Sequence, residues 1–274
     1  MIFAENTEGI FHDLDDTVYR KAPGVAQSDL KVLLKSPLHY WSKKNLPPTP
    51  STPAQVFGTL LHAAALEPFK LNMMFAVKPQ GMTFTTKEGK AWRDEQTKPI
   101  ITHDDSLDLN GCATSVARHP MASRLITGSR HEVSVFKRCE ETGMMLKGRC
   151  DGLGMFDDEM GIIDIKTTED AGEDYFSRDI AKFGYWMQAA YYLDLTGASW
   201  FKFIAVEKSA PYAVNVFELG GDYIEHGRRV YKKQIAILKE CLRTNTWPGY
   251  GDAVKTVYAP RWMVAKSFDG GPEE

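Results

Sequence analysis

Gly148-Arg149-Cys150-Asp151-Gly152, followed by Ile162-Ile163-Asp164-Ile165-Lys166-Thr167-Thr168, decides the fold of this chain. The two segments read as strands of a hairpin joined by the polar turn Asp157-Asp158-Glu159-Met160-Gly161. Side chains alternate along a strand, so Asp164 and Lys166 share one face while Ile163 and Ile165 bury the other. A turn near Asp157-Asp158 sets Asp151 roughly across from Asp164, and two carboxylates and an ammonium are then expected on one patch. An Asp/Lys pair on a hairpin is ordinarily a solvated face. Here both charges interrupt the apolar run Ile162, Ile163, Ile165, the pattern of a central strand, where a charge is costly unless paired or metal-bound. Carboxylate oxygens are hard ligands suited to Mg²⁺ or Mn²⁺. A lysine beside them can orient a water or steady negative charge on a phosphate. The pattern outlines a metal-dependent phosphodiester-cleaving site.

The chain has 274 residues, 43% hydrophobic and 25% charged, with a formal net charge of -3. That composition is ordinary for a globular protein and neither supports nor excludes a nucleic-acid substrate. No apolar run approaches the roughly 20 residues that span a bilayer, so no membrane partner is expected. Met1 to Glu8 shows no basic segment followed by an apolar one, hence no secretory leader. Cys112, Cys139, Cys150 and Cys241 form no C-x-x-C pair, which argues against a zinc ribbon or an Fe–S cluster and for a reduced, cytoplasmic setting.

Residues 1–26 lack periodicity and read as an N-terminal arm, residues 27–262 as one domain, and residues 263–274 as a flexible tail. Helices are expected from Gln27 with Ser28 as N-cap and Ser36-Pro37 as its end, over Thr52–Leu66, near Glu88–Glu95, over Ser106–His119, over Asp179–Leu195 and over Asp222–Leu242. Strands are expected at Glu132–Phe136, in the hairpin, at Trp200–Val206 and at Tyr212–Leu219. This order predicts an α/β domain, a mixed sheet flanked by helices.

The helix Thr52–Leu66 carries Gly58 and His62 and ends at Glu67; the glycine leaves space on the face that His62 shares. Tyr185, Gln188 and Tyr192 form one helical stripe, in which Gln188 is the anomaly, because an amide facing a core needs partners. Arg178 and Lys182 precede it. Arg228-Arg229, Lys232-Lys233 and Lys43-Lys44 read as solvated faces rather than a DNA track.

Together these pieces resemble the RecB-like branch of the PD-(D/E)XK nuclease superfamily, and most of all RecE-type exonucleases (exonuclease VIII-like) of phages and prophages. The resemblance rests on Ser28-x-Leu30-x-x-Leu33 with Ser36-Pro37, Phe57-Gly58-Thr59-Leu60-Leu61-His62 through Leu66-Glu67-Pro68, and Gly148-x-x-Asp151-Gly152. It continues through Asp164-Ile165-Lys166-Thr167-Thr168, Tyr185-x-x-Gln188-x-x-x-Tyr192 and Trp247-Pro248-Gly249-Tyr250. It implies a restriction-endonuclease-like core and a Mg²⁺-dependent 5′→3′ exonuclease acting on double-stranded DNA ends. It also implies a ring-shaped homo-oligomer, a tetramer, and a RecT-type single-strand annealing partner for recombination. By resemblance, Asp151, Asp164 and the Ile165 carbonyl contact metal, His62 and Glu67 complete the site, Lys166 is the catalytic lysine, and Gln188 with Tyr192 supports it. Glu132 competes with Glu67 as first acidic ligand. An endonuclease of the same fold and a catalytically silent DNA-end-binding protein are the alternatives.

Overall fold

The computed structural model of the protein describes residues 7–47, 49–260 and 263. At its centre is the hairpin: strand β6 (Met145–Phe156) runs antiparallel to β7 (Glu159–Thr168), with Gly152 facing Ile163 and Phe156 facing Glu159. Asp157 and Asp158 make the turn at φ +49° and +68°. Two successive left-handed residues match the twist of a tight hairpin, and aspartate tolerates that geometry better than most side chains.

The sheet order is β1-β5-β6-β7-β8-β9, with β2 beside β6. Its remaining strands are β1 (Gly9–Phe11), β2 (Val25–Ala26), β5 (Ser129–Arg138), β8 (Trp200–Glu207) and β9 (Val214–Glu218). β7 and β8 are parallel, as are β2 and β6, and the other pairs are antiparallel, so the sheet is mixed as expected. A separate two-stranded sheet joins β3 (Ala76–Val77) to β4 (Ile100–Ile101).

Alternation along β7 and β8 feeds two cores. Ile163, Ile165, Ile204 and Val206 pack under α4 (Pro53–Leu66), α7 (His103–Arg118) and α8 (Pro120–Thr127). Ile162, Phe201, Phe203 and Ala205 pack under α2 (Gln27–Leu33), α9 (Glu173–Phe183), α10 (Tyr185–Thr196) and α11 (Gly221–Thr244). Ile163 and Ile165 are wholly buried, and burying each is worth about 1.5–3 kcal/mol. The short α5 (Pro68–Leu71) sets Leu71 against the first of these cores, and α6 (Lys87–Glu95) follows it in the chain. Among the described residues no helix is long and apolar enough to cross a membrane.

Several expectations are corrected. The segment expected as an arm, residues 1–26, is folded from residue 9 onward: β1 pairs with β5, β2 pairs with β6, and α1 (Asp16–Lys21) lies between them. Short strands carry too few residues to show a period, and the backbone pairing that holds them leaves no sequence signature. Ser28 is not an N-cap; α2 starts one residue earlier, and the Asp29 carboxylate accepts the Ala26 amide at 3.2 Å. Ser36-Pro37 starts a helix instead of merely ending one: Ser36 caps α3 (Pro37–Asn45), with proline at the first turn, where its missing N–H costs nothing. The single helix expected over Asp179–Leu195 is two helices, broken at Gly184 in the left-handed region (φ +68°, ψ +35°). Trp247 stacks on Tyr40 of α3, 5.8 Å between ring centroids. Of the tail at 263–274, all but Met263 lies outside the described residues.

Candidate active site

The site lies where the hairpin forks. Pairing between β6 and β7 stops at Gly152–Ile163, one step before Asp151 would face Asp164. β7 stays paired to β8 through Thr168, while the opposite end of β6 pairs with β2 at Leu146 and Lys147. The edge of β6 between these ladders needs other hydrogen-bond partners. Helix α10 supplies two of them. The Tyr191 hydroxyl donates to the carbonyls of Val25 (2.7 Å) and Lys147 (3.0 Å). The Tyr192 hydroxyl donates to the Arg149 carbonyl at 3.1 Å and accepts the Arg149 amide at 3.4 Å. Such an approach needs a glycine beneath it: a Cβ on Gly148 would sit 2.7 Å from Leu195 and 3.1 Å from Tyr192.

Inside the fork, Asp151 accepts the Ile165 amide on Oδ2 at 2.9 Å, and the Ile165 carbonyl meets His62 Nε2 at 2.7 Å. One residue of β7 is thus held through its backbone by two of the expected site side chains. With Nε2 donating to a carbonyl, His62 turns Nδ1 toward Asp151 Oδ2 at 3.4 Å. A ring nitrogen and a carboxylate facing each other need a proton or a cation between them.

Asp164 and Lys166 lie on the other side of the fork, packed under α10. The Gln188 amide donates to Asp164 Oδ1, and Lys166 pairs with Asp164 Oδ2. Gln188 therefore has the partner its position demanded. Asp164 Oδ2 is buried and lacks a directional hydrogen bond; the close Lys166 ammonium is its electrostatic partner. Burial pushes the Asp164 carboxyl upward and Lys166 pulls it back. Burial works against the Lys166 ammonium, but Asp164 and then Asp151 outweigh it and raise its pKa. Lys166 therefore remains charged. Its ammonium lies 5.0 Å from the centroid of the Tyr185 ring.

A cleft of about 930 Å³ opens over the α4 side, and His62, Glu67, Glu132, Asp151 and Tyr192 all line it. Asp164 and Lys166 are not among its lining residues. Asp164 and Lys166 nonetheless both feel the Asp151 charge, so the two carboxylates and the ammonium lie near one another at the fork, Asp151 facing the cleft and Asp164 buried. Gly58 fulfils the expectation of free space: a Cβ there would meet nothing within 4 Å.

Glu67 caps the end of α4 and pairs with Lys70. Glu132 falls opposite Asp151 in the β5–β6 register, between the pairs His131–Gly152 and Val133–Cys150. Its backbone is left-handed at φ +51°, a strain of about 1–3 kcal/mol for a side chain of this type. Burial and the nearby Asp151 charge push its carboxyl up to about 7 against the pull of Arg149 and His62, with Glu67 adding to the rise. Both candidates for the first acidic position thus face the same cleft.

Arg149 of the same strand also lines the cleft. Its guanidinium reaches Asp16 at 3.1 Å, the Leu14 carbonyl at 2.6 Å and Ser134 Oγ at 3.0 Å, with Glu132 at 3.9 Å and the Tyr19 ring at 4.5 Å. It ties the N-terminal segment to the cleft wall. The sequence signal for it is a long cation between Gly148 and Cys150 in the interior of a strand.

The donor set suits a hard cation. Among the described residues no three His, Cys, Asp or Glu side chains form a closed ligand group. Mg²⁺ does not need one, because it keeps several waters and commonly takes one or two carboxylates plus substrate phosphate. The buried Asp164 oxygen, the Asp151 and Glu132 carboxylates and the Ile165 carbonyl are all oxygen donors, and their mutual repulsion favours a cation.

A sequence profile of the family described as "PDDEXK-like domain of unknown function (DUF3799)" matches residues 26–259. Among solved structures, a candidate exonuclease from Eubacterium rectale is similar at TM-score 0.63 and 13% identity, over 94% of this chain and 99% of that one. An alkaline exonuclease (LHK-Exo) from Laribacter hongkongensis reaches TM-score 0.29 at 18% identity, over 48% of this chain and 71% of that one. No curated protein matches the chain.

Proposed function

The chain belongs to this PDDEXK-like family, and we propose that it is a Mg²⁺-dependent 5′→3′ exodeoxyribonuclease of the RecE type. Its substrate would be linear double-stranded DNA, of which it degrades one strand and leaves 3′ single strands for homologous recombination. The observation that carries this reading is the fork itself. Asp151 grips the Ile165 amide, His62 meets the Ile165 carbonyl, and Lys166 is paired with buried Asp164 two residues along the same strand. The name of the Eubacterium rectale protein, whose fold is similar, agrees with it.

Asp151, Asp164 and the Ile165 carbonyl would hold the metal, with His62 and either Glu67 or Glu132 completing the shell. Mn²⁺ would substitute. The bound ion supplies Lewis-acid polarisation of the scissile phosphate and a lowered pKa for a coordinated water. Every other contribution comes from the chain. Lys166, whose ammonium Asp164 and Asp151 stabilise, would donate hydrogen bonds to the attacking water or to the charge developing on phosphate. Gln188 fixes Asp164, and Tyr192 fixes the strand that carries Asp151. A homotetrameric ring, a RecT-type annealing partner and a cytoplasmic site of action follow from the resemblance to RecE-type proteins and are part of the proposal.

The test is digestion of 5′-phosphorylated linear duplex beside the matching covalently closed circle, with Mg²⁺, and with Lys166→Ala and Asp151→Asn as controls. Loss of the linear DNA alone, abolished in both variants, is expected. Cutting of both substrates would make the protein an endonuclease of the same fold. Binding to ends with no digestion would make it a silent DNA-end-binding protein.

A further inference from the structure

The break at Gly184 builds something the proposed reaction has not used. On a continuous helix, residues two apart point away from each other. Here α9 ends at Phe183, Gly184 breaks the helix in the left-handed region, and α10 begins at Tyr185, and the two rings lie together at 5.7 Å and 33°. Tyr185 carries the Lys166 ammonium over its ring at 5.0 Å. Phe183 is 37% exposed and has the ammonium of Lys182 at 5.0 Å and that of Lys31 at 6.0 Å from its centroid. Two adjacent rings thus lie between the Lys166 ammonium and those of Lys31 and Lys182.

These cations are uncommitted. Lys31, Lys35 and Lys182 have no carboxylate within ion-pair distance among the described residues. Lys43 and Lys44, by contrast, are held by Asp29, Lys70 by Glu67 and Lys232 by Glu141. Burial lowers the Lys31 pKa first, and its neighbours Lys166 and Lys35 lower it further, so positive charge is crowded there. An exposed ring among unpaired cations is the composition that binds an unpaired nucleic-acid strand: rings stack bases, and lysines take phosphates. A duplex offers no free base face to such a ring.

We propose that Phe183, flanked by Lys31 and Lys182, is a stacking platform for an unpaired DNA strand, set beside Lys166. The inference rests on the nuclease reading for its substrate. It goes further by requiring that the strand be unpaired where it passes α9 and α10. Phe183 is a positioning residue; it touches no reacting atom.

The experiment is anisotropy of a labelled oligo(dT) of about 12 nucleotides with wild type, Phe183→Ala and Phe183→Trp. EDTA prevents cleavage, and a blunt duplex of the same length is the comparison. Phe183→Ala is expected to lose about 10-fold in affinity for oligo(dT), the scale of one base–ring stack, and little for the duplex. Phe183→Trp is expected to bind as wild type, and its extra tryptophan emission should be quenched when oligo(dT) is added. Unchanged binding by Phe183→Ala, unmoved emission from Phe183→Trp, or no oligo(dT) binding by wild type overturns the platform. Mg²⁺-dependent digestion with unchanged oligo(dT) binding removes the platform and leaves the nuclease standing. Binding lost in Phe183→Ala while wild type digests nothing does the reverse.

Discussion

Lys166 and Asp164 are paired two residues apart on one strand, Asp164 buried and Lys166 largely so, and each charge is stabilised by the other. Sequence alone suggests that Lys166→Ala abolishes cleavage and leaves folding intact. The burial argues otherwise. Removing one partner of a buried pair strands the other, a loss of about 3 kcal/mol. Lys166→Ala should therefore unfold at lower urea as well as lose cleavage, and the double variant Asp164→Asn with Lys166→Met should regain much of the stability but no activity. Equal urea midpoints for wild type and Lys166→Ala would show that the pair is not buried as described.

Asp151 separates structure from chemistry more cleanly. Its Oδ2 satisfies the Ile165 amide at 2.9 Å where the ladder has ended. Asparagine keeps an acceptor oxygen, so Asp151→Asn should fold nearly as well as wild type and lose Mg²⁺-dependent cleavage. Alanine leaves the amide without a partner, and Asp151→Ala should cost a further 1–3 kcal/mol or so. Thermal melts of the two variants beside a digestion assay check this; equal stability of the two would mean that another group takes up the Ile165 amide.

Much of this site was readable because its residues break local rules. Charges inside Ile162-Ile163-Asp164-Ile165-Lys166 and an amide inside an aromatic stripe are anomalies that only pairing or chemistry accounts for, and Gln188 on Asp164 is that pairing. The turn at Asp157-Asp158 was equally legible, since few side chains accept two left-handed positions. The fork was not. Where a ladder stops depends on what α10 and β2 offer the edge of β6, and the α10 contacts bridge 43 and 44 residues of sequence. Nor was the strain at Glu132 legible, because its position opposite Asp151 exists only after the strands pair.

Gly184 is hard to read for a similar reason: a single glycine inside a helical pattern is ordinarily tolerated. Its φ of +68° is what turns α9 into α10. A Cβ there would meet nothing within 4 Å, so substitution carries no steric clash and only the conformational cost. Gly184→Ala is therefore expected to lose about 1–2 kcal/mol, and Gly184→Asn less, because asparagine visits this region more readily. Chemical denaturation measures both; a neutral Gly184→Ala would mean that the two helices can join into one.

The Glu132 carboxyl sets a pH dependence whose sign can be worked out. Its pKa rises from an ordinary 4.5 to about 7 on folding, chiefly through burial and then through Asp151. Between those values the folded chain holds a proton that the unfolded chain has released. Stability contributed by this group is therefore greatest at low pH and declines as pH rises toward 7. Glu132→Gln removes the titration and keeps the shape. In metal-free protein, the variant should gain melting temperature over wild type as pH goes from 5 to 8. Mg²⁺ should shrink that gain, since a cation in the cleft favours the ionised carboxylate. A difference between variant and wild type that stays constant across this range would show that Glu132 does not carry the raised pKa.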